Sequence, residues 1–339
     1  MDRIGFDIRK RHLLAGALSL GLIALLAASP QLLGDQVRNG LEGIGDATPV
    51  WLWVASGCFV SSLVLMGTAW RAALRSCGAE LDVYDSAARY GVGSLVNSLA
   101  PAKLGTAVRL ALYAKPLHGE GRLWTVGGVG TAIGAAHTVW LGILVAIAAS
   151  AGVVPMWPLA LLGGLLVAAA IAVYVARHSR PARRFAHVLD AFRELGSSPR
   201  SAATLLAWTG LAMAARVAAA ASLAFAFGLD QPLKIAILVV PTVEMAAFLP
   251  LTPGNIGVAS AAVAFALKSQ GVDSSVALSA GIAFNAVETL SSLAFGAGSS
   301  LYLVSGTSLL RRRLATVAAA AGCMGLASAF GWTVIYPLS

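Results

Sequence analysis

Apolar runs long enough to cross a bilayer recur along this chain, near residues 13–33, 50–70, 123–149, 157–177, 201–228, 275–305 and 314–334. About 20 helical residues span the ~30 Å of hydrocarbon in a membrane, so each run predicts a transmembrane helix. The first run follows the basic residues Arg9, Lys10 and Arg11. It is longer than the 7–15 residues of a signal-peptide core and no clean cleavage site follows it, so it reads as a retained helix. Two further apolar regions, 84–117 and 232–270, are broken in their middles by NSLAPAKLG (97–105) and LPLTPGNIG (249–257). Proline removes a backbone donor and glycine permits positive φ. These regions therefore predict re-entrant helical hairpins, tolerated at membrane depth where they line a cavity or are buried in protein. The fold expected is all-α and polytopic, with about seven transmembrane helices and two re-entrant hairpins.

Composition agrees with that pattern. Hydrophobic residues make up 58 % and charged residues 12 % of 339, about half the charge of a soluble domain. The net charge of +9 raises nucleic acid as a partner, but the placement of the basic residues argues against it. Of the 24 lysines and arginines, all but Arg38, Arg216, Lys234 and Lys268 lie in residues 1–12, 71–89, 103–122, 177–200 and 311–313. Under the positive-inside rule this alternation puts the N-terminus in the cytoplasm and the C-terminus outside, in a bacterial inner membrane. Segment 178–200 reads as a cytoplasmic amphipathic linker. Trp51, Trp53, Trp70, Trp124, Trp157 and Trp332 fall near expected span ends, as an interfacial belt requires. Cys58, Cys77 and Cys323 fit neither a metal motif nor a disulfide framework.

The two broken regions match each other at an offset of 152, Pro101-Ala-Lys-Leu-Gly-Thr-Ala107 against Pro253-Gly-Asn-Ile-Gly-Val-Ala259. The topology has them entering from opposite sides. The chain then divides into inverted repeats, one near 50–149 with hairpin 84–117 and one near 201–305 with hairpin 232–270. That architecture places a transport site at the midplane, between discontinuous helices. Pro101, Gly105, Pro253, Gly254 and Gly257 are the expected breaks. Half-helix N-termini there suit an anion such as phosphate, with Lys103, Arg109 and Asn255 close by.

On these residues the chain resembles a known family. Asn97-x3-Pro101-x3-Gly105-x3-Arg109, then LPLTPGNIGV (249–258) and KSQGVDSSVALSAGIAFNAVETL (268–290), is similar to the flippase-like membrane domain of lysylphosphatidylglycerol synthases. The resemblance covers nearly the whole chain. It implies lipid translocation, and with the sequence ending at Ser339 it implies translocation without the soluble aminoacyl-transferase step. Three departures leave the lipid open. Thr106 stands where family members commonly have an acidic residue. The second motif reads PGN rather than PGG and is followed by Ser260. The span after the first hairpin, often marked by Arg and Asp, carries only His137.

Arg216 sits near the middle of run 201–228. An arginine at that depth costs about 2.5–3.5 kcal/mol on insertion scales and so marks a functional position or a buried ion pair. Glu244 and Glu288 are its candidate partners. Asn97, Lys103, Arg109, Arg216, Glu244, Asn255 and Glu288 together form the expected substrate-binding set. Asn97 also reads as a helix cap, Lys103 and Arg109 as topology charges, and His137 as an interior histidine rather than a proton relay. No nucleophile elbow, P-loop or zinc pattern appears, so neither an enzyme, a cofactor nor a bound metal is expected. The expected partners are membrane lipids with an anionic headgroup, with a homo-oligomer or an envelope-synthesis protein beside them. Two alternatives stay open. One is a membrane enzyme acting on lipid phosphates or polyprenyl carriers through the DxxD pair Asp82 and Asp85. The other is a scaffold for an envelope glycosyltransferase.

Overall fold

The computed structural model describes residues 47–99, 104–117, 121–152, 163–164, 167, 198–247 and 256–304. Within them the chain is helical: α1 (Pro49–Ser76), α2 (Val83–Leu99), α3 (Leu104–Ala114), α4 (Arg122–Ser150), α5 (Pro199–Ala226), α6 (Pro232–Ala246), α7 (Ile256–Ser269) and α8 (Ser274–Val304). The protein is an all-α polytopic membrane protein. Helices α1, α4, α5 and α8 are each long and apolar enough to span a bilayer. They correspond to four of the seven expected spans. The spans at 13–33, 157–177 and 314–334 lie outside the described residues, as does the linker 178–200 up to its last three residues.

Local chemistry sets the boundaries. Pro49 and Pro199 occupy the first turns of α1 and α5, where their missing N–H costs nothing, and the Ser198 hydroxyl accepts from the Ser201 N–H. Both helices end at a left-handed glycine, Gly78 (φ 82°) and Gly228 (φ 61°). Just past it, Ala79 N–H donates to the Leu74 carbonyl and Leu229 N–H to the Ala224 carbonyl, closing the last turn in the same way. Helix α2 opens on Asp82, whose carboxylate accepts from Tyr84 N–H, and α8 opens on Asp273, which accepts from Ser275 N–H. Asp82, half of the metal-binding alternative, thus has a plain structural role.

The order of long helix, two short helices around a break, long helix occurs twice. The interfaces repeat as well. Exchanging α1–α4 for α5–α8 converts α1·α2 into α5·α6, α2·α8 into α6·α4, α3·α4 into α7·α8, and α1·α8 into α5·α4. The α1·α5 interface maps onto itself.

Small residues let these helices approach closely, as in membrane bundles generally. A Cβ at Gly67 would strike the Ala87 backbone, one at Gly105 the Gly93 carbonyl, and one at Gly281 the Ser260 carbonyl. Across α2 and α8, Gly91 and Gly296 play the same part. Gly105 and Gly257 correct one expectation. They do not break their helices; each is the second residue of one, and Gly105 is needed for contact rather than for positive φ. Trp70 is a second correction. It does not sit in an interfacial belt but is buried and stacked on Tyr113, with centroids 4.7 Å apart.

Candidate functional site

Four helices deliver one ionisable side chain each to a common point. His137 lies near the centre of α4 and Glu288 near the centre of α8. Arg216 lies in the second half of α5, and Glu244 in the last turn of α6, just before the second break. Arg216 Nη2 donates to Glu288 Oε1 at 2.6 Å. Its Nε stands 3.1 Å from Glu244 Oε1. His137 Nε2 stands 3.4 Å from Glu244 Oε2. The result is a chain of alternating groups, imidazole, carboxylate, guanidinium, carboxylate, tying α4, α6, α5 and α8 together. Their side chains keep 19–24 % exposure, so the chain is sheltered from bulk water but not sealed.

A cavity of about 490 Å³ opens beside it, within the range of small-molecule sites. Arg216, Glu244 and His137 line it. So does Arg109 from α3, which brings α3 and α6 to one site. Arg109 sits over the Tyr90 ring, its Cζ 3.9 Å from the centroid, a cation–π contact that holds the guanidinium without using its hydrogens. Met66, Trp70 and Leu110 supply apolar wall, and Thr106 and Thr131 supply hydroxyls.

Two donors here are unused. The buried Nε of Arg109 has no hydrogen-bond acceptor. The Nε of Arg216 has none either, because its hydrogen is not aimed at the carboxylate that pairs with it. Both arginines line the cavity with a solvent-shielded, unsatisfied Nε; buried polar groups are normally satisfied, so the pair suits an anionic acceptor. Guanidinium forks match phosphate and carboxylate geometry.

The expected residues fall into three groups. Arg109, Arg216 and Glu244 line the cavity, and Glu288 reaches it through Arg216. Asn97 lies apart from the lining, packed where α2 meets Gly105, its side-chain oxygen buried without a partner. Lys103, Asn255, Pro101, Pro253 and Gly254 lie outside the described residues. Glu244 and Glu288 are both partners of Arg216, where sequence could only name them as candidates. Sequence reasoning missed Tyr90, and it read His137 as an interior residue and Trp70 as a belt residue. For His137 no local signal could have helped, since Glu244 is 107 positions away.

The family model for the lysylphosphatidylglycerol synthase TM region matches residues 12–296. No curated protein matches the chain.

Proposed function

We propose, for a chain that belongs to the lysylphosphatidylglycerol synthase TM region family, that it moves an anionic lipid headgroup between the leaflets of a bacterial inner membrane. The observation that carries this reading is the cavity itself. It combines apolar walls with Arg109 from α3, Arg216 from the long helix α5 and Glu244 from α6.

The headgroup phosphate would take the free Nε hydrogens of Arg109 and Arg216, while the acyl chains stay in lipid. In the empty state Glu244 and Glu288 hold Arg216 in place. In the loaded state the phosphate replaces part of that pairing, so the guanidinium is never left without an anion. This exchange answers the main difficulty of burying charge, since an unpaired ion in a low-dielectric site is costly. The two four-helix units, inserted with opposite orientation and with the N-terminus inside, would rock about the α1–α5 contact and expose the site to each leaflet in turn.

The reading is tested in proteoliposomes with fluorescent phosphatidylglycerol and fluorescent phosphatidylcholine, scored by access of a quencher to each leaflet. Wild type is expected to exchange the anionic lipid faster than the zwitterionic one, and Arg109→Ala to remove that preference. Equal rates for both lipids would overturn the anion-selective reading, and rates no higher than in empty vesicles would overturn translocation and favour a scaffold.

A further inference from the structure

The charges around the cavity carry the functional reading one step further. Among the described residues the ionisable groups facing it are Arg109 from α3, His137 from α4, Arg216 from α5 and Glu244 from α6, with Glu288 of α8 joined through Arg216. Helix α2 adds the uncharged ring of Tyr90, and α1 adds only Met66 and Trp70. With the imidazole neutral, two guanidiniums and two carboxylates balance to zero. A lipid phosphodiester brings one negative charge into this balanced site. Among the described residues nothing there compensates it except a proton, and burying an uncompensated charge is costly.

We infer that the protein is a proton-coupled carrier in which one proton enters the His137–Glu244 pair for each monoanionic phosphodiester bound at Arg109 and Arg216. This rests on the translocation reading above. Imidazole is the side chain suited to the task, because it changes charge across the physiological range. His137 borders the cavity and is 24 % exposed, so a proton can reach it by the path the headgroup uses.

Geometry supplies the coupling. Glu244 stands between His137 and Arg216, one oxygen toward each, at 3.4 and 3.1 Å. When the imidazole becomes a cation, Glu244 has a second positive partner and its hold on Arg216 weakens. The Arg216 Nε, 3.1 Å from Glu244 but not hydrogen-bonded to it, can then turn to the phosphate. The proton comes from the aqueous phase and resides on the imidazole, and Glu244 stays a carboxylate. The phosphodiester keeps its charge, and no covalent bond changes. When the headgroup leaves on the far side the imidazole loses its stabilising anion and releases the proton there. The loaded and empty sites are both neutral, so the cycle carries no net charge across the membrane.

The test uses the full-length protein in phosphatidylcholine vesicles carrying a trace of fluorescent phosphatidylglycerol, with a trapped pH-sensitive dye. One-to-one coupling predicts that a gradient of one pH unit drives the phosphatidylglycerol to a tenfold leaflet ratio, with dye-reported proton movement that requires the anionic lipid. A potassium diffusion potential at equal pH should leave the ratio at one. His137→Gln keeps a polar side chain against Glu244 but cannot take a proton, and its ratio under the pH gradient should fall to one whatever its rate. A wild-type ratio of one under the pH gradient, with lipid still exchanging, overturns the proton inference alone. A ratio set by the electrical potential overturns it too, as does a tenfold ratio retained by His137→Gln. Vesicles in which neither lipid moves under any gradient overturn the translocation reading and this inference with it.

Discussion

Replacing Arg216 by methionine tests the charge chain where its partners are closest. Methionine keeps an unbranched side chain and removes the charge. The lost guanidinium had Glu288 at 2.6 Å and Glu244 at 3.1 Å, so the variant leaves two carboxylates around an empty centre with only His137 to help. Breaking a buried ion pair from one side costs about 3–5 kcal/mol. The three side chains keep 19–24 % exposure, so water reaching them through the cavity sets the expected loss at about 3 kcal/mol, the bottom of that range. Glu288→Gln is milder. It leaves an amide oxygen for Nη2 and Glu244 for the remaining charge, and about 1 kcal/mol is expected. The double variant leaves one carboxylate beside His137 and should lose about 2 kcal/mol, where independent sites would lose about 4. The difference is the coupling between the two side chains. Reversible unfolding of all four proteins in mixed micelles measures it. Losses that simply add, to within about 0.5 kcal/mol, would show that Arg216 and Glu288 do not depend on each other and would refute the account of the site.

Other predictions probe the frame and its edges. Gly105→Ala should destabilise by about 2 kcal/mol or more, since its Cβ would meet the Gly93 carbonyl. Gly57→Ala, with nothing within 4 Å of the added carbon, should be neutral or slightly stabilising by the same unfolding assay. Trp140→Phe removes the bond from its indole N–H to the Leu206 carbonyl at 2.9 Å and should cost about 1 kcal/mol. At the start of α8, hydrogen bonds from the Ser275 hydroxyl and backbone hold the Asp273 carboxyl below its ordinary value of 3.8. Its capping contribution is therefore present above that value and lost as acid protonates it. Amide exchange in the first turn of α8 should accelerate as pH falls below about 3.8, and Asp273→Asn should abolish that pH step.

The long helices were legible because a membrane span has a length and a composition. Runs 50–70, 123–149, 201–228 and 275–305 became α1, α4, α5 and α8, the first extended by six residues through Arg71 and Arg75. Those two arginines sit beyond the apolar run, where a hydropathy reading stops but the helix continues to Ser76. Helices α2 and α3, and α6 and α7, are separate elements on either side of the segments holding Pro101 and Pro253, which lie outside the described residues. The role of Gly105 was not legible, because a glycine needed for close contact and one needed for a turn look alike in sequence. Arg216 announced itself, since an arginine in an apolar run needs an explanation, and acidic residues in apolar runs are few enough to name as partners. His137 and Tyr90 did not. An imidazole or a phenol inside a membrane helix is unremarkable until its neighbour is known, and those neighbours come from other helices.

The two four-helix units share a frame but not a chemistry, and the contrast bears on how the site works. Helices α3 and α7 begin 152 residues apart, as do α4 and α8, while α1 and α5 begin 150 apart. At those offsets Arg109 is matched by Ala261, Glu288 by Ala136 and Arg216 by Met66. Met66 lines the same cavity as Arg216, so for this pair equivalent positions face one space, and in each of the three pairs only one member carries charge. A symmetric pair of cationic centres would bind two anions, or hold one too tightly to release. With one charged member per pair, both units close over a single set of groups. Under the proposed translocation, exchange between outward- and inward-facing states would need only the frame to be two-fold, with the same Arg216, Glu244 and His137 serving both faces. The departures from the family pattern at Thr106, Ser260 and His137 fit that economy in one respect. Thr106 and His137 border the cavity where an acidic or a permanently charged residue would change its balance, and with the residues present that balance is zero until a proton or an anion arrives.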